Sequence, residues 1–214
     1  MKFKKYNPLP TYMTNTYLVW DEATLEAILI DPAAQSNEIL QDIKNLKLTM
    51  KFIVNTHGHG DHIAGNNYFK KNLQIPLCIH KLDAEMLTNP HKNLSADMGT
   101  EVISPAADKL LVDKDVVSFG EIEMKIIHTP GHTKGGICLY HEPYLFCGDT
   151  LFEESIGRTD LPGGNLEEIK KSIIDKLFKL PDETKVLPGH GDFTSIEDEK
   201  IGNPFVGLVG KINN

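Results

Sequence analysis

Short apolar segments recur along the chain, separated by polar turns and by stretches with helical spacing. Residues 17–20 (YLVW) and 27–30 (AILI) flank the polar turn 21–24 and predict a pair of strands. Ser36 is placed to cap a helix whose Ile39, Leu40, Ile43 and Leu46 fall on one face. Residues 52–54 predict a short buried strand running straight into Asn55, Thr56 and His57, with a helix after Asp61 through Lys71. Residues 76–80 read as a strand and 84–87 as a short helix. In the second half, 116–118 and 122–127 pair around Phe119-Gly120-Glu121, and 137–140 with 144–147 around Glu142-Pro143. Asn165 caps a long amphipathic helix with Leu166, Ile169, Ile173, Leu177 and Leu180 on one face, and Glu168 is placed to complete a capping box. Residues 185–187 predict a last strand before Pro188-Gly189-His190-Gly191. Strands followed by helices, in two similar halves, predict an α/β sandwich with sheets inside and helices outside.

Length and composition narrow this picture. The 214 residues show no repeat and no low-complexity linker, and are read as one domain, 1–214, able to bury its own core without disulfides. Cys78, Cys138 and Cys147 are odd in number and sit in apolar runs, which points to buried small hydrophobes in a reducing compartment. The N-terminal MKFKK is followed by polar, proline-broken sequence, so no signal peptide is expected, and the apolar runs are too short to span a bilayer. A cytoplasmic protein is expected. The net charge of −8, with no dense basic block beyond KFKK, argues against a nucleic-acid partner, and no membrane partner is expected.

The nine histidines carry the chemistry. Four touch a glycine, and a fifth, His62, lies two residues from one. His57-Gly58-His59-Gly60-Asp61-His62 places four metal-capable side chains in six residues. Histidines two apart cannot share a helix face, so His57 and His59 need a looped backbone, for which Gly58 and Gly60 are expected to supply the conformational freedom. Asp61 and His62 then open the next helix. Three further segments repeat the design of a ligand beside glycine at a strand end: His132 in Thr129-Pro130-Gly131-His132, Asp149 in Cys147-Gly148-Asp149, and His190. A catalytic metal takes about three protein ligands plus water. Five histidines and two aspartates therefore imply two divalent ions, and nitrogen and oxygen donors without thiolate suit zinc, with iron or manganese as the other candidates.

These ordered segments resemble the metallo-β-lactamase superfamily, over nearly the whole chain up to His190. The resemblance implies a four-layer αβ/βα sandwich with the metal site at the edge between the two sheets. It also implies that one metal takes His57, His59 and His132, the other takes Asp61, His62 and His190, and Asp149 bridges them. Within the superfamily, residues 155–164 (SIGRTDLPGG), Gly189-His190-Gly191 and Asn203-Pro204-Phe205 resemble the short bacterial glyoxalase II-type hydrolases. Full-length glyoxalase II carries a helical C-terminal extension that helps hold glutathione. Only 24 residues follow His190 here, so that extension is expected to be missing.

The implied activity is hydrolysis of a small-molecule thioester such as S-lactoylglutathione, by a hydroxide shared between two cations about 3.5–4 Å apart. Asp61 is expected to ligate one metal and orient the hydroxide. A thiol leaving group, with a pKa of about 8.5, departs without a dedicated general acid. Arg158 is the candidate for holding a substrate carboxylate, by similarity to a basic residue of glyoxalase II, with pairing to Asp160 as its structural alternative. Tyr140, Lys134 and Tyr144 are candidates for the mouth of the site. Cys147, two residues from Asp149, is read as packing although strand alternation leaves it on the same face. The remaining histidines, His80, His91, His128 and His141, are read as ordinary. The rival readings are a mononuclear-iron persulfide dioxygenase, using His57, His132 and Asp149, and an ester or lactone hydrolase.

Overall fold

Two six-stranded sheets face one another across a shared apolar layer, in a computed structural model that describes residues 1–208. The last six residues of the expected 1–214 domain lie outside the described residues. The first sheet contains β1 (Lys2–Leu9), β2 (Thr14–Trp20), β3 (Glu26–Ile30), β4 (Thr49–Val54), β5 (Leu77–His80) and β6 (Lys109–Leu111), in chain order. The second contains β7 (Val116–Phe119), β8 (Ile122–His128), β9 (Ile137–His141), β10 (Tyr144–Gly148), β13 (Lys185–Pro188) and β14 (Thr194–Ser195), ordered β14-β13-β10-β9-β8-β7. A small hairpin, β11 (Leu151–Phe152) with β12 (Ser155–Ile156), projects from the end of β10. Helices α1 (Asn37–Asn45), α2 (Gly60–Ile63) and α3 (Asn66–Leu73) belong to the first half, and α4 (Leu166–Asp175) and α5 (Ile196–Gly202) to the second.

Strand alternation explains the four layers. In β2, Tyr17 and Val19 point between the sheets while Leu18 points outward; in β3, Ile28 and Ile30 point inward while Ala27 and Leu29 point outward. The outward set packs under Ile39 and Ile43 of α1 and Phe69 of α3. In β10, Phe146 faces the inter-sheet layer, whereas Leu145 and Cys147 face Ile169 and Ile173 of α4. Strands buried on both faces read as continuous apolar runs, which is why 27–30 and 144–147 stood out in the sequence. The αβ/βα sandwich is thus the observed fold.

Several local expectations are corrected. No strand is expected from the sequence before residue 17, yet Lys2–Leu9 forms β1 and pairs with β2 from Lys2↔Trp20 to Leu9↔Thr14. An edge strand needs only one buried face, and here Tyr6 is its only fully buried residue, so the apolar signal was weak. The helix expected through Lys71 is two helices, because Gly65 turns its N–H to the Pro32 carbonyl at 2.7 Å. Phe119 ends β7 and is buried rather than lying in the turn. Asn165 caps α4 by accepting from the Glu168 N–H at 3.1 Å, but its own N–H donates to the Gly131 carbonyl at 2.8 Å, so no capping box forms. α4 ends at Asp175, and Leu166 is exposed. No helix among the described residues is long and apolar enough to cross a membrane.

Phe146 joins the two sheets, with its ring 5.1 Å from Tyr17 and 5.8 Å from Phe3 in edge-on contacts. Phe146→Ala is expected to lower stability by about 3–5 kcal/mol, read as a lower denaturant midpoint with an unchanged denaturant dependence. A loss under about 1 kcal/mol would show that the sheets repack around the gap.

Candidate metal centre

Strand ends deliver all seven predicted donors to one edge of the sandwich. β4 runs into His57 and His59, and α2 carries Asp61 and His62. His132 follows β8, Asp149 follows β10 directly, and His190 lies two residues beyond β13. Gly58 and Gly60 do not adopt left-handed backbone. They are required instead by close approach: a Cβ on Gly58 would lie 2.5 Å from the Met86 Cβ, and one on Gly60 2.8 Å from the Ser95 Cβ. The left-handed turn is at Gly148, φ +49°, and it breaks the alternation of β10. Asp149 therefore turns into the site while Cys147 stays in the outer core, its thiol donating to the Leu151 carbonyl at 3.1 Å and pushed up in pKa by burial.

The donors form two adjacent groups. His57 Nε2 lies 3.1 Å from His59 Nδ1, which lies 2.9 Å from His132 Nε2. His62 Nε2 lies 3.2 Å from His190 Nε2, with Asp61 Oδ2 3.5 Å and 3.4 Å from them. Asp149 stands between: Oδ1 is 3.4 Å from His62 Nε2, and Oδ2 is 3.4 Å from His132 Nε2 and 3.3 Å from His190 Nε2.

The outward ring nitrogens settle which atoms carry lone pairs. His132 Nδ1 lies 2.8 Å from the Arg158 carbonyl and His190 Nδ1 2.8 Å from the Tyr12 carbonyl. A carbonyl only accepts, so both Nδ1 atoms carry a proton and both Nε2 atoms face inward, free to ligate. His62 Nδ1 donates to Asp31 Oδ2 at 3.0 Å. Thr56 Oγ1 donates to Asp31 Oδ2 at 2.5 Å and so accepts from His57 Nδ1 at 3.2 Å. Inward nitrogens this close need a proton or a cation between them, and a cation serves several at once. Asp149 Oδ1, moreover, is buried with no hydrogen-bond partner among the described residues. Such groups are costly unless something is bound there. The residues present fit divalent cations on both counts.

Charge points the same way. Burial drives His57 well below the ordinary histidine range, and burial with the neighbouring His132 takes His59 down to about 3, so both are neutral. Burial also opposes charge on His62, but Asp61, Asp149 and Asp31 outweigh it and raise its pKa to about 10. His190 is likewise raised, by Asp149 and Asp61 against desolvation. Burial opposes ionisation of Asp149, yet His62, His190 and His132 hold it well below the carboxylate range. The pocket demands positive charge at the Asp61–His62–Asp149–His190 end.

A family model described as the metallo-beta-lactamase superfamily matches residues 9–190. The chain belongs to the metallo-β-lactamase superfamily. It is similar to the hydroxyacylglutathione hydrolase GloC of Haemophilus influenzae, 32% identical over 207 residues, which covers 93% of this chain and 95% of that one. Among solved structures it is similar to BLEG-1, described as a B3 metallo-β-lactamase, with a TM-score of 0.91, 34% identity, and coverage of 96% of this chain and 99% of that one. It is similar also to TTHA1623 in a di-iron-bound form, with a TM-score of 0.81, 29% identity, and coverage of 96% and 100%. As a metallo-β-lactamase superfamily member it is a metal-dependent enzyme.

Five supporting residues escaped the sequence reading. Asp31 fixes His62 and, through Thr56, His57. It follows the apolar strand 27–30, and its place at a strand end was the available signal, although no glycine lies beside it. Asp83, whose carboxyl burial pushes up against three donors, accepts from Gly58 N, Thr133 Oγ1 and Gly135 N, holding the His57–His59 loop to the loop of His132. Tyr12 and Thr14 come from the β1–β2 turn; Thr14 Oγ1 donates to Asp61 Oδ2 at 3.0 Å. No local pattern marks them. The Arg158 guanidinium makes two bonds to Asp160 at 2.9 and 2.7 Å, and its carbonyl holds His132. Tyr144 packs on Phe3 away from the site, and Tyr140 against the core around α4.

Two outcomes are expected. Asp31→Ala should weaken metal binding by roughly 10–100-fold, measured by competition with a chelator; unchanged affinity would show that His62 and His57 orient themselves. Separately, a cation entering at pH 7 must displace the proton that His62 holds up to about pH 10. Binding should release at least about one proton per chain, and apparent affinity should rise about tenfold per pH unit toward that pKa. Calorimetry in buffers of different ionisation heat measures this; zero protons released would mean that His62 is already neutral.

Proposed function

We propose that the chain hydrolyses thioesters, S-lactoylglutathione among them, with two divalent cations, zinc, iron or manganese, held at adjacent positions. His57, His59 and His132 would hold one, Asp61, His62 and His190 the other, with Asp149 between them. The observation that carries this reading is the Asp149 carboxylate, whose two oxygens face both histidine groups at 3.3–3.4 Å. The similarity to GloC and to a di-iron-bound structure supports the same reading. Bound there, the cations supply a nucleophile generated from water and polarise the carbonyl.

The chain's own residues do the rest. Asp61 is held by Thr14 and faces His62 and His190, which places a carboxylate where an attacking water can be oriented. Arg158 is two-thirds exposed and could receive a substrate carboxylate only by exchanging its pair with Asp160. A thiolate needs no protonation to depart at neutral pH, whereas an amine does. That chemistry favours a thioester over a lactam or peptide.

Asp61→Ala is expected to lower kcat on S-lactoylglutathione by at least about 100-fold with a much smaller change in KM. His62→Ala and His190→Ala should each abolish turnover. The same proteins are offered glutathione persulfide with an oxygen electrode. Oxygen uptake that survives His190→Ala, without thioester cleavage, would overturn the hydrolase reading in favour of a dioxygenase.

A further inference from the structure

An apolar recess opens directly beside Asp61. Its walls are Leu9 at the end of β1, Tyr12 from the β1–β2 turn, Gly60 and Ala64 at the two ends of α2, and Val102 from the loop before β6, with Ser95 and Thr100 adding two hydroxyls, and its volume is about 160 Å³. None of the His57, His59 and His132 group lines it. We propose that this recess receives the acyl substituent of the thioester and that it selects short, uncharged acyl groups. The proposal rests on the thioesterase reading above and adds to it which part of the substrate lies on which side.

Three observations orient the substrate. A carbonyl at the donor cluster carries two substituents, and the cluster borders two different surfaces, the recess at Asp61 and the Arg158–Asp160 pair at His132. Among the described residues lining the recess, Asp61 belongs to the donor cluster and none is cationic, so nothing there pairs with the carboxylates of a glutathione-like thiol. The opposite end presents His132 on the Arg158 carbonyl, with the exposed Arg158–Asp160 pair beyond it, and that end suits a polar, charged thiol. The apolar walls therefore take the acyl side. Volume then sets the length: an apolar cavity of about 150 Å³ holds a benzene ring, so this one holds an acyl tail of about six carbons.

The turn that forms one wall also holds the donors. The Tyr12 carbonyl accepts from His190 Nδ1 at 2.8 Å and Thr14 Oγ1 donates to Asp61 at 3.0 Å, so the wall and the donor cluster keep a fixed relation. Ala64 is the position at which added bulk fills the recess without replacing any donor or donor partner.

The test uses the zinc-loaded protein and two readouts. Calorimetry measures binding of the product-like carboxylates acetate, butanoate, hexanoate and octanoate. Affinity is expected to rise about fourfold per methylene up to hexanoate and to level off at octanoate, and Ala64→Leu is expected to flatten the series. The second readout is kcat/KM on acetyl, butanoyl and hexanoyl thioesters of one common thiol, with the same rise and the same flattening. A flat series in the parent protein, or a rise that survives Ala64→Leu, would overturn the recess. Thioester cleavage with a flat series overturns the recess alone. A steep carboxylate series with no thioester cleaved overturns the thioesterase reading and leaves an acyl pocket for another ester.

Discussion

Asp31 is 2% exposed, and three donors converge on it: the Thr56 N–H at 2.7 Å, the Thr56 hydroxyl at 2.5 Å and His62 Nδ1 at 3.0 Å. A carboxylate that deep is tolerated only when its oxygens are occupied in this way. Its effect extends to both donor groups, because accepting from His62 Nδ1 directly, and from His57 Nδ1 through Thr56, turns each Nε2 inward. The Arg158 and Tyr12 carbonyls impose the same tautomer on His132 and His190. Four of the five histidines thus have their outward nitrogen held by a protein acceptor and the other nitrogen aimed into the centre, which orients them for holding cations.

The sandwich exists in a form that permits this. Two-sided burial of β2, β3 and β10 makes the sheets stiff, and every donor segment leaves its strand at the same edge. Backbone then has to come very close to donor side chains. A Cβ on Gly189 would lie 2.2 Å from Asp149 Oδ1, so the glycine before His190 is what lets two donor loops share the space. Asp83 ties the His57–His59 loop to the one bearing His132, accepting one bond from the former and two from the latter. Precise placement of the donors thus comes from rigid strands and tight loop contacts, rather than from the donors themselves.

The two ends of the centre differ in character. One end, at His132, meets an exposed guanidinium–carboxylate pair; the other, at Asp61, meets apolar side chains and a turn whose Tyr12 and Met13 are exposed. A substrate with one polar and one apolar half has a single favourable orientation in such a field. That asymmetry is what the proposed orientation of the substrate rests on.

Much of this was legible in the residues alone. Period-two and period-3.6 patterns marked the central strands and helices, since burial on both faces of a sheet leaves unbroken apolar runs. The clustering of histidine and aspartate beside glycine marked the seven donors, because loops at strand ends need both close approach and ligating atoms. The edge strand β1 was hidden, because an edge needs little apolar sequence to pair. The break at Gly65 was hidden because its cause is a bond to Pro32, more than thirty residues away. Cys147 and Asp149 were inseparable by alternation until the left-handed Gly148 turned them to opposite sides of the sheet. Arg158 had two readings from sequence, and only the position of Asp160 showed where its guanidinium rests. Donor identity is local chemistry and can be read from the chain; tautomers, the partners Tyr12, Thr14 and Asp83, and the apolar recess depend on contacts between distant segments, and only the folded chain brings those together.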